Sequence, residues 1–271
     1  MAARRRKKQV SPETRRQIQR LTLMDNDFMT IALDKNNPCL EEMLRVILNK
    51  DDLVVKKVLT QRYLKGFERS VCLDIYAVDS RGVRYNIEIQ QASEGADPRR
   101  ARFHGGMIDT HVLKAGQDFK KLPECYVIFI TRDDVLKQGK TIYTIHRYID
   151  SDAGTEMQPF EDGSHIIYIN GAAEDDGTEL WKLIHDLHCA NPDEMFFPRL
   201  AARAKYLKED EEGVTALSSY FEKQRERAHK EEKEGIALKF IQLGENTLEK
   251  IAECTGLTLR RVRQLAKTAA V

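Results

Sequence analysis

Two acids and an amide, Asp74, Glu88 and Gln90, stand within residues 71–91, VCLDIYAVDSRGVRYNIEIQQ. Apolar residues alternate on both sides of Ser80-Arg81-Gly82: Val71, Leu73, Ile75 and Ala77 before it, Tyr85, Ile87 and Ile89 after it. A period of two predicts a pair of strands, and a three-residue turn ending in Gly suits a type I turn with a G1 bulge. In that register Leu73 faces Ile89, Ile75 faces Ile87 and Ala77 faces Tyr85, which leaves Asp74 opposite Glu88 on the other face, with Gln90 beside it. A one-residue slip pairs Asp74 with Ile87 and mixes the faces, so the pattern selects the register.

Directly opposed like charges destabilise a hairpin, but carboxylates on Cβ atoms ~5 Å apart can share one divalent cation. Mg²⁺ accepts one or two carboxylates, keeps waters and leaves positions for phosphate oxygens. It lowers the pKa of a bound water and neutralises charge on a phosphoryl group. Gln90 on the same face could orient that water or a phosphate oxygen. The segment PRRARFH places Arg99, Arg100 and Arg102 nearby, where phosphates could be held. The competing reading makes Asp74, Glu88 and Gln90 the solvated face of an amphipathic hairpin. Cys72, Val78 and Val83 suit that face poorly.

The elements that must position this hairpin follow from periodicity. Leu40, Met43, Leu44, Ile47 and Leu48 recur at helical spacing behind Asn36-Asn37-Pro38. Val54 to Leu59 suits a strand or a helix equally. An arginine-rich helix is predicted over about 98–115. CYVIFIT, residues 125–131, is an unbroken apolar run of strand length, as a central strand buried on both faces requires. Strands are predicted over 142–148 and 165–170, with an acidic loop over 150–164. A helix begins near Leu180, and residues 199–240 read as charged helical hairpins broken at Gly213. These predict an α/β domain over about 21–195 with a central mixed sheet flanked by helices, a charged helical region over 196–245 and a small unit over 246–271.

Composition narrows the classes. The chain has 271 residues, 44 Lys and Arg, 43 Asp and Glu, and 41% hydrophobic residues, enough for a real core. Residues 1–20 hold eight of the basic residues and one acid, Glu13, which leaves the remainder with a net charge of −6. A basic, flexible arm on a mildly acidic body is expected; its alternatives are a nucleic-acid contact made by counterion release or a solubilising tail. No apolar run approaches the ~20 residues of a membrane span. Five widely spaced cysteines without a CxxC pair suit reduced thiols in a cytoplasm. His185, His188 and Cys189 have metal-like spacing on a helix, but no HExxH pattern accompanies them, and a structural role is expected.

The succession Asp, hairpin, Glu-x-Gln, in LDIYAVDSRGVRYNIEIQ, resembles the Rpn family within the PD-(D/E)XK nuclease superfamily. These are recombination-promoting nucleases also classed as transposases. NDFMTIALDKNNPCLEEMLRVILN, with Asp27 and Phe28, resembles the family's N-terminal segment, and the likeness spans roughly residues 21–170. It implies a restriction-endonuclease-like core and Mg²⁺-dependent cleavage of DNA. Asp74, Glu88 and Ile89 match the metal-ligating positions, and Asp74, Glu88 and Gln90 the catalytic ones. Gln90 stands where the superfamily usually has lysine, a cation replaced by a neutral donor and acceptor. Glu41 or Glu42 is a further acidic candidate, against the plainer reading of an exposed helix face.

Residues 247–267, TLEKIAECTGLTLRRVRQLAK, resemble a helix-turn-helix: Leu248, Ile251 and Ala252, then Gly256 in the turn, then Leu259, Val262 and Leu265. Arg260, Arg261 and Arg263 would meet phosphates or base edges there. A plain αα-hairpin packed on the body is the alternative. The expected partner is DNA and no membrane, with a homodimer left open. A second functional class also stands, a DNA-binding protein built on a catalytically degenerate nuclease fold.

Overall fold

The computed structural model describes residues 10–150, 157–244 and 246–269. The chain forms two compact units, Met1–Thr215 and Ala216–Val271. No helix among the described residues is long and apolar enough to cross a membrane.

The first unit opens with α1 (Pro12–Arg20). Ser11 caps it by accepting from Thr14 N, and Pro12 takes the first turn, where its missing N–H costs nothing. Of the two readings the sequence allows for the arm, flexible throughout or helical from Ser11 with Pro12 and Glu13 in its first turn, residues 12–20 take the helical one. Ile18 is buried, Gln19 Nε2 donates to Lys208 O at 2.8 Å, and Lys208 Nζ donates back to Gln19 O at 3.3 Å. One apolar residue and a reciprocal polar clasp dock the helix; residues 1–9, with Arg4 to Lys8, lie outside the described residues.

Helices α2 (Asn26–Leu33) and α3 (Asn37–Leu48) follow and pack on β1 (Val55–Leu64). Next come β2 (Val71–Asp79), β3 (Arg84–Gln90), α4 (Pro98–Val112), β4 (Cys125–Thr131), β5 (Ile142–Ile145), β6 (Tyr148–Ile149), β7 (Gln158–Pro159) and β8 (Ser164–Asn170). Helices α5 (Glu179–His188) and α6 (Pro198–Glu209) close the unit with the start of α7 (Glu211–Leu243). The undecided 54–59 segment is thus a strand, and the predicted 142–148 strand splits into β5 and the short β6, which pairs with β7.

The main sheet has the order β1-β2-β3-β4-β8-β5. The β1/β2, β2/β3 and β5/β8 pairs are antiparallel, and β3/β4 and β4/β8 are parallel. This is a mixed α/β sheet flanked by helices, the expected fold class. β4 lies between two parallel neighbours and is buried along its whole length, the reason its sequence shows no alternation. Val127, Phe129 and Tyr168 pack with Ala96 and Ala101 under α4.

The β2–β3 turn closes as its sequence predicts. Gly82 has φ +87° and donates to Asp79 O at 3.2 Å, while Asp79 N donates to Val83 O at 3.2 Å. The buried Asp79 carboxylate binds the turn from inside, accepting from Arg81 N and Val83 N at 2.9 Å each and from Tyr85 OH at 2.9 Å. Ile75 then faces Ile87 and Ala77 faces Tyr85, the predicted register.

Gly213 does not break the helical region. The break falls at Asp210, and Gly213 lies inside α7, where an added Cβ would sit 2.0 Å from Tyr206 O. Glycine is there to let α7 start against the end of α6.

Candidate active site in a strand fork

The paired step Ile75/Ile87 is where β2 and β3 part. Towards Val71, β2 stays hydrogen-bonded to β1; towards Gln90, β3 stays with β4, pairing Glu88 with Phe129 and Gln90 with Thr131. Asp74 and Glu88 occupy the crotch of this fork. Each carboxylate satisfies a backbone amide of the opposite strand: Asp74 N donates to Glu88 Oε1 at 3.2 Å and Ile89 N donates to Asp74 Oδ2 at 3.3 Å. Ile89 itself is an apolar core side chain, and its observed contact with the acid pair runs through its backbone N–H.

Neither acid is solvated. Glu88 is 0% and Asp74 8% exposed, so the reading of an open polar hairpin face is corrected. α4 covers that face. Arg100 Nη2 donates to Glu88 Oε2 at 2.9 Å, and His104 Nδ1 lies 3.4 Å from Glu88 Oε1 and 3.1 Å from Asn86 Nδ2. Burial, and secondly the charge of Glu88, push the Asp74 carboxyl up from 3.8 to about 6. Two buried carboxylates with one arginine leave the pair short of positive charge.

Asp74 receives two further bonds, from residues that periodicity does not reveal. Asn26 Nδ2 on α2 donates to Asp74 Oδ1 at 3.3 Å, and Gln61 Nε2 on β1 donates to the same oxygen at 3.4 Å. Gln61 sits across from Asp74, between the pairs Thr60/Ile75 and Arg62/Leu73, with φ +50°. A left-handed non-glycine residue inside a strand costs roughly 1–2 kcal/mol, and such strain gathers at functional sites.

Gln90 is the third member of the site. Its Oε1 accepts from Arg100 Nη1 at 3.3 Å, and the same Arg100 nitrogen donates to Gly95 O at 2.9 Å. An added Cβ on Gly95 would lie 1.9 Å from Gln90 Oε1, so the amide is packed against bare backbone. Arg99, Arg100 and Arg102 line one groove of about 1100 Å³ that also contains His104. Arg100 is thus both a groove residue and the direct partner of Glu88 and Gln90.

Other candidates fall elsewhere. Glu41 is neither an exposed face nor part of the fork: Oε2 accepts from Val55 N at 3.0 Å, and Oε1 pairs with Arg45 at 2.8 Å. Glu42 is partly buried near Arg199 and Leu200 of α6, away from the fork, and burial raises its carboxyl above the ordinary value. His185 lies 3.2 Å from Asp186, His188 packs close against Gly171, and Cys189 donates to Asn191 O at 3.1 Å, so the three do not converge. Arg260, Arg261 and Arg263 belong to the second unit.

The donor set suits a hard divalent cation. Two buried carboxylates stand side by side in the fork, and burial first, then the charge of Glu88, raises the Asp74 carboxyl. Among the described residues no group of three or more His, Cys, Asp or Glu side chains forms a cage. A divalent cation that takes one or two carboxylates and keeps its waters suits such a pair better than one that needs a full cage.

A mixed sheet that splits to hold two acids, with Glu-x-Gln on one prong, is the architecture of a PD-(D/E)XK nuclease domain. The family model for PD-(D/E)XK nuclease family transposases matches residues 15–173, and the chain belongs to this family. Neither a curated protein nor a solved structure matches the chain.

Proposed function

We propose that this chain is a Mg²⁺-dependent DNA endonuclease that hydrolyses phosphodiester bonds at the fork. The observation that carries the reading is the pair of carboxylate–amide bonds across the fork, Asp74 N to Glu88 Oε1 and Ile89 N to Asp74 Oδ2, which hold the two acids buried side by side where β2 and β3 part. A divalent cation held by these carboxylates supplies Lewis-acid activation of water and neutralises phosphoryl charge. Asp74 is held in place by Asn26 and Gln61, and Glu88 by Arg100 and His104. The Ile89 N–H fixes one Asp74 oxygen and leaves the other for the two amides.

Gln90 offers a neutral amide at the position where a lysine would bring charge. Arg100 compensates: its guanidinium touches both Glu88 and Gln90 and reaches the groove, placing a fixed cation beside the reacting phosphate. Arg99 and Arg102 grip the flanking DNA backbone along the same groove. The deciding experiment is plasmid nicking in Mg²⁺ by the wild type and Asp74→Ala; equal rates remove the proposal.

Gly95→Ala tests the role of Gln90. The added methyl must displace a flexible side-chain tip, so the melting temperature is expected to move by less than about 2 °C, while nicking falls about tenfold. An unchanged rate would detach Gln90 from the chemistry.

A degenerate, DNA-binding version of the fold is the second reading. It is favoured by one feature, the occupation of both Glu88 oxygens by Asp74 N, His104 and Arg100. It predicts DNA binding with no Mg²⁺-dependent nicking.

A further inference from the structure

We infer that the second unit is a self-contained docking module for duplex DNA, in which a C-terminal helix presents Arg260, Arg263, Gln264 and Lys267 to the major groove. The inference rests on that unit alone and stands apart from the chemistry at Asp74.

Two helices of some 20 residues rarely bury enough apolar surface to stand by themselves. Here a third is supplied. The end of α7 packs with α8 (Leu248–Thr255) and α9 (Leu259–Ala269) around Ala237, Ile251, Val262 and Leu265. The α8–α9 connection is three residues long. Gly256 takes φ +65° to end α8, and Thr258 Oγ1 accepts from Arg261 N at 3.3 Å to start α9. This is the sharp, glycine-bearing corner of a helix-turn-helix.

α9 divides cleanly. Val262 and Leu265 face inward, and Arg261 is spent as a tether, with Nε and Nη2 each 2.8 Å from a Glu234 oxygen on α7. That bidentate pair orients the helix and removes Arg261 from the DNA-reading set expected from sequence. What is left outward is Arg260, Arg263, Gln264 and Lys267, all exposed and spaced i, i+3, i+4, i+7 on one helical face. Arg263 has only a loose, exposed partner, Glu249 at 3.4 Å, of a kind worth little in water. α9 carries four cations and no acid.

The chemistry of this face selects its ligand. Cations spaced along the helix match a row of phosphates, and Arg and Gln side chains match guanine and adenine edges. Beside α9, a groove of about 720 Å³ is flanked by Lys230 and Lys233 of α7, extending the positive rim. A lipid surface is a poor match because the apolar face of α9 is turned into its own core. Single strands are a poor match because neither α8 nor α9 has an aromatic residue on which bases could stack.

The test is fluorescence anisotropy of the full-length chain with a labelled duplex of ~25 base pairs, in EDTA so that the fork contributes no cation-dependent binding. Arg260→Ala/Lys267→Ala is expected to weaken binding at least ~10-fold and to lower the log–log salt slope by about 2, one phosphate contact per cation. Lys250→Ala on α8 serves as the charge control and is expected to stay within about twofold of wild type. Unchanged affinity and slope in the double variant would overturn the inference, as would equal or tighter binding of a single strand or an RNA duplex. Asp74→Ala retaining full duplex affinity supports the inference whether or not the chain nicks DNA, which separates this failure from that of the nuclease reading.

Discussion

Asp74→Ala is expected to lower Mg²⁺-dependent nicking at least ~1000-fold, which corresponds to about 4 kcal/mol of barrier. The change removes one of two carboxylates in the fork, so a shared cation loses half of its protein ligands. The fold should survive. The Asp74 side chain is held by the amides of Asn26, Gln61 and Ile89, and none of these carries the sheet pairing, which continues through β1/β2 and β3/β4. Conversion of supercoiled to open-circular plasmid, followed in time with Mg²⁺ and with EDTA, gives the rate. A thermal melt of the same samples separates lost chemistry from lost structure. Glu88→Gln should behave alike, since it keeps the shape but gives up the ion pair with Arg100.

The same carboxylate makes the cation-free protein sensitive to pH. Asp74 titrates near 6 when folded, against 3.8 for an ordinary Asp. Because the folded pKa is raised, the native state binds more protons between these values than the unfolded chain does. Stability is therefore greatest below pH 4 with respect to this group and declines as pH climbs to about 6. Asp74→Asn removes the titration. In EDTA, the melting temperature of the variant minus that of wild type is expected to grow by several degrees between pH 4 and pH 7.5. Taking the difference cancels the many other groups that titrate in both proteins. A difference that stays flat across that range would mean that Asp74 pays no such penalty, and that the acids are not electrostatically opposed.

Much of the fold is legible in the sequence, and the reason is periodicity. The hairpin alternates and its turn ends in a glycine with positive φ, so the register from Ile75/Ile87 to the turn was legible from apolar residues alone; the parting of the strands beyond it, which leaves Leu73/Ile89 and Asp74/Glu88 outside the ladder, was not. The burial of β4 was legible in its unbroken apolar run. Gln61 was not. Its strand could not be told from a helix, and a left-handed residue has no signature in a polar side chain. Asn26 lay in a recognisable segment, yet its contact spans 48 positions and depends on how α2 meets β2. Gly95 matters through the space it leaves empty, which no residue-type rule reports. Arg261 shows the reverse limit. Its neighbours on the helix made it look like a DNA contact, and only the position of Glu234 reveals it as a tether.

The fork has a mechanical consequence. Asp74 belongs to the β1–β2 ribbon, whereas Glu88 and Gln90 belong to β3 beside β4; the β2/β3 ladder runs only from Ile75/Ile87 back to the turn, and beyond it two carboxylate–amide bonds tie the prongs together. The site therefore resembles the jaws of a pair of calipers, latched by those two bonds, whose pivot is the hairpin bound by Asp79. The gap between the acids follows the twist of one ribbon against the other, so a substitution at the pivot can change that gap without altering either carboxylate.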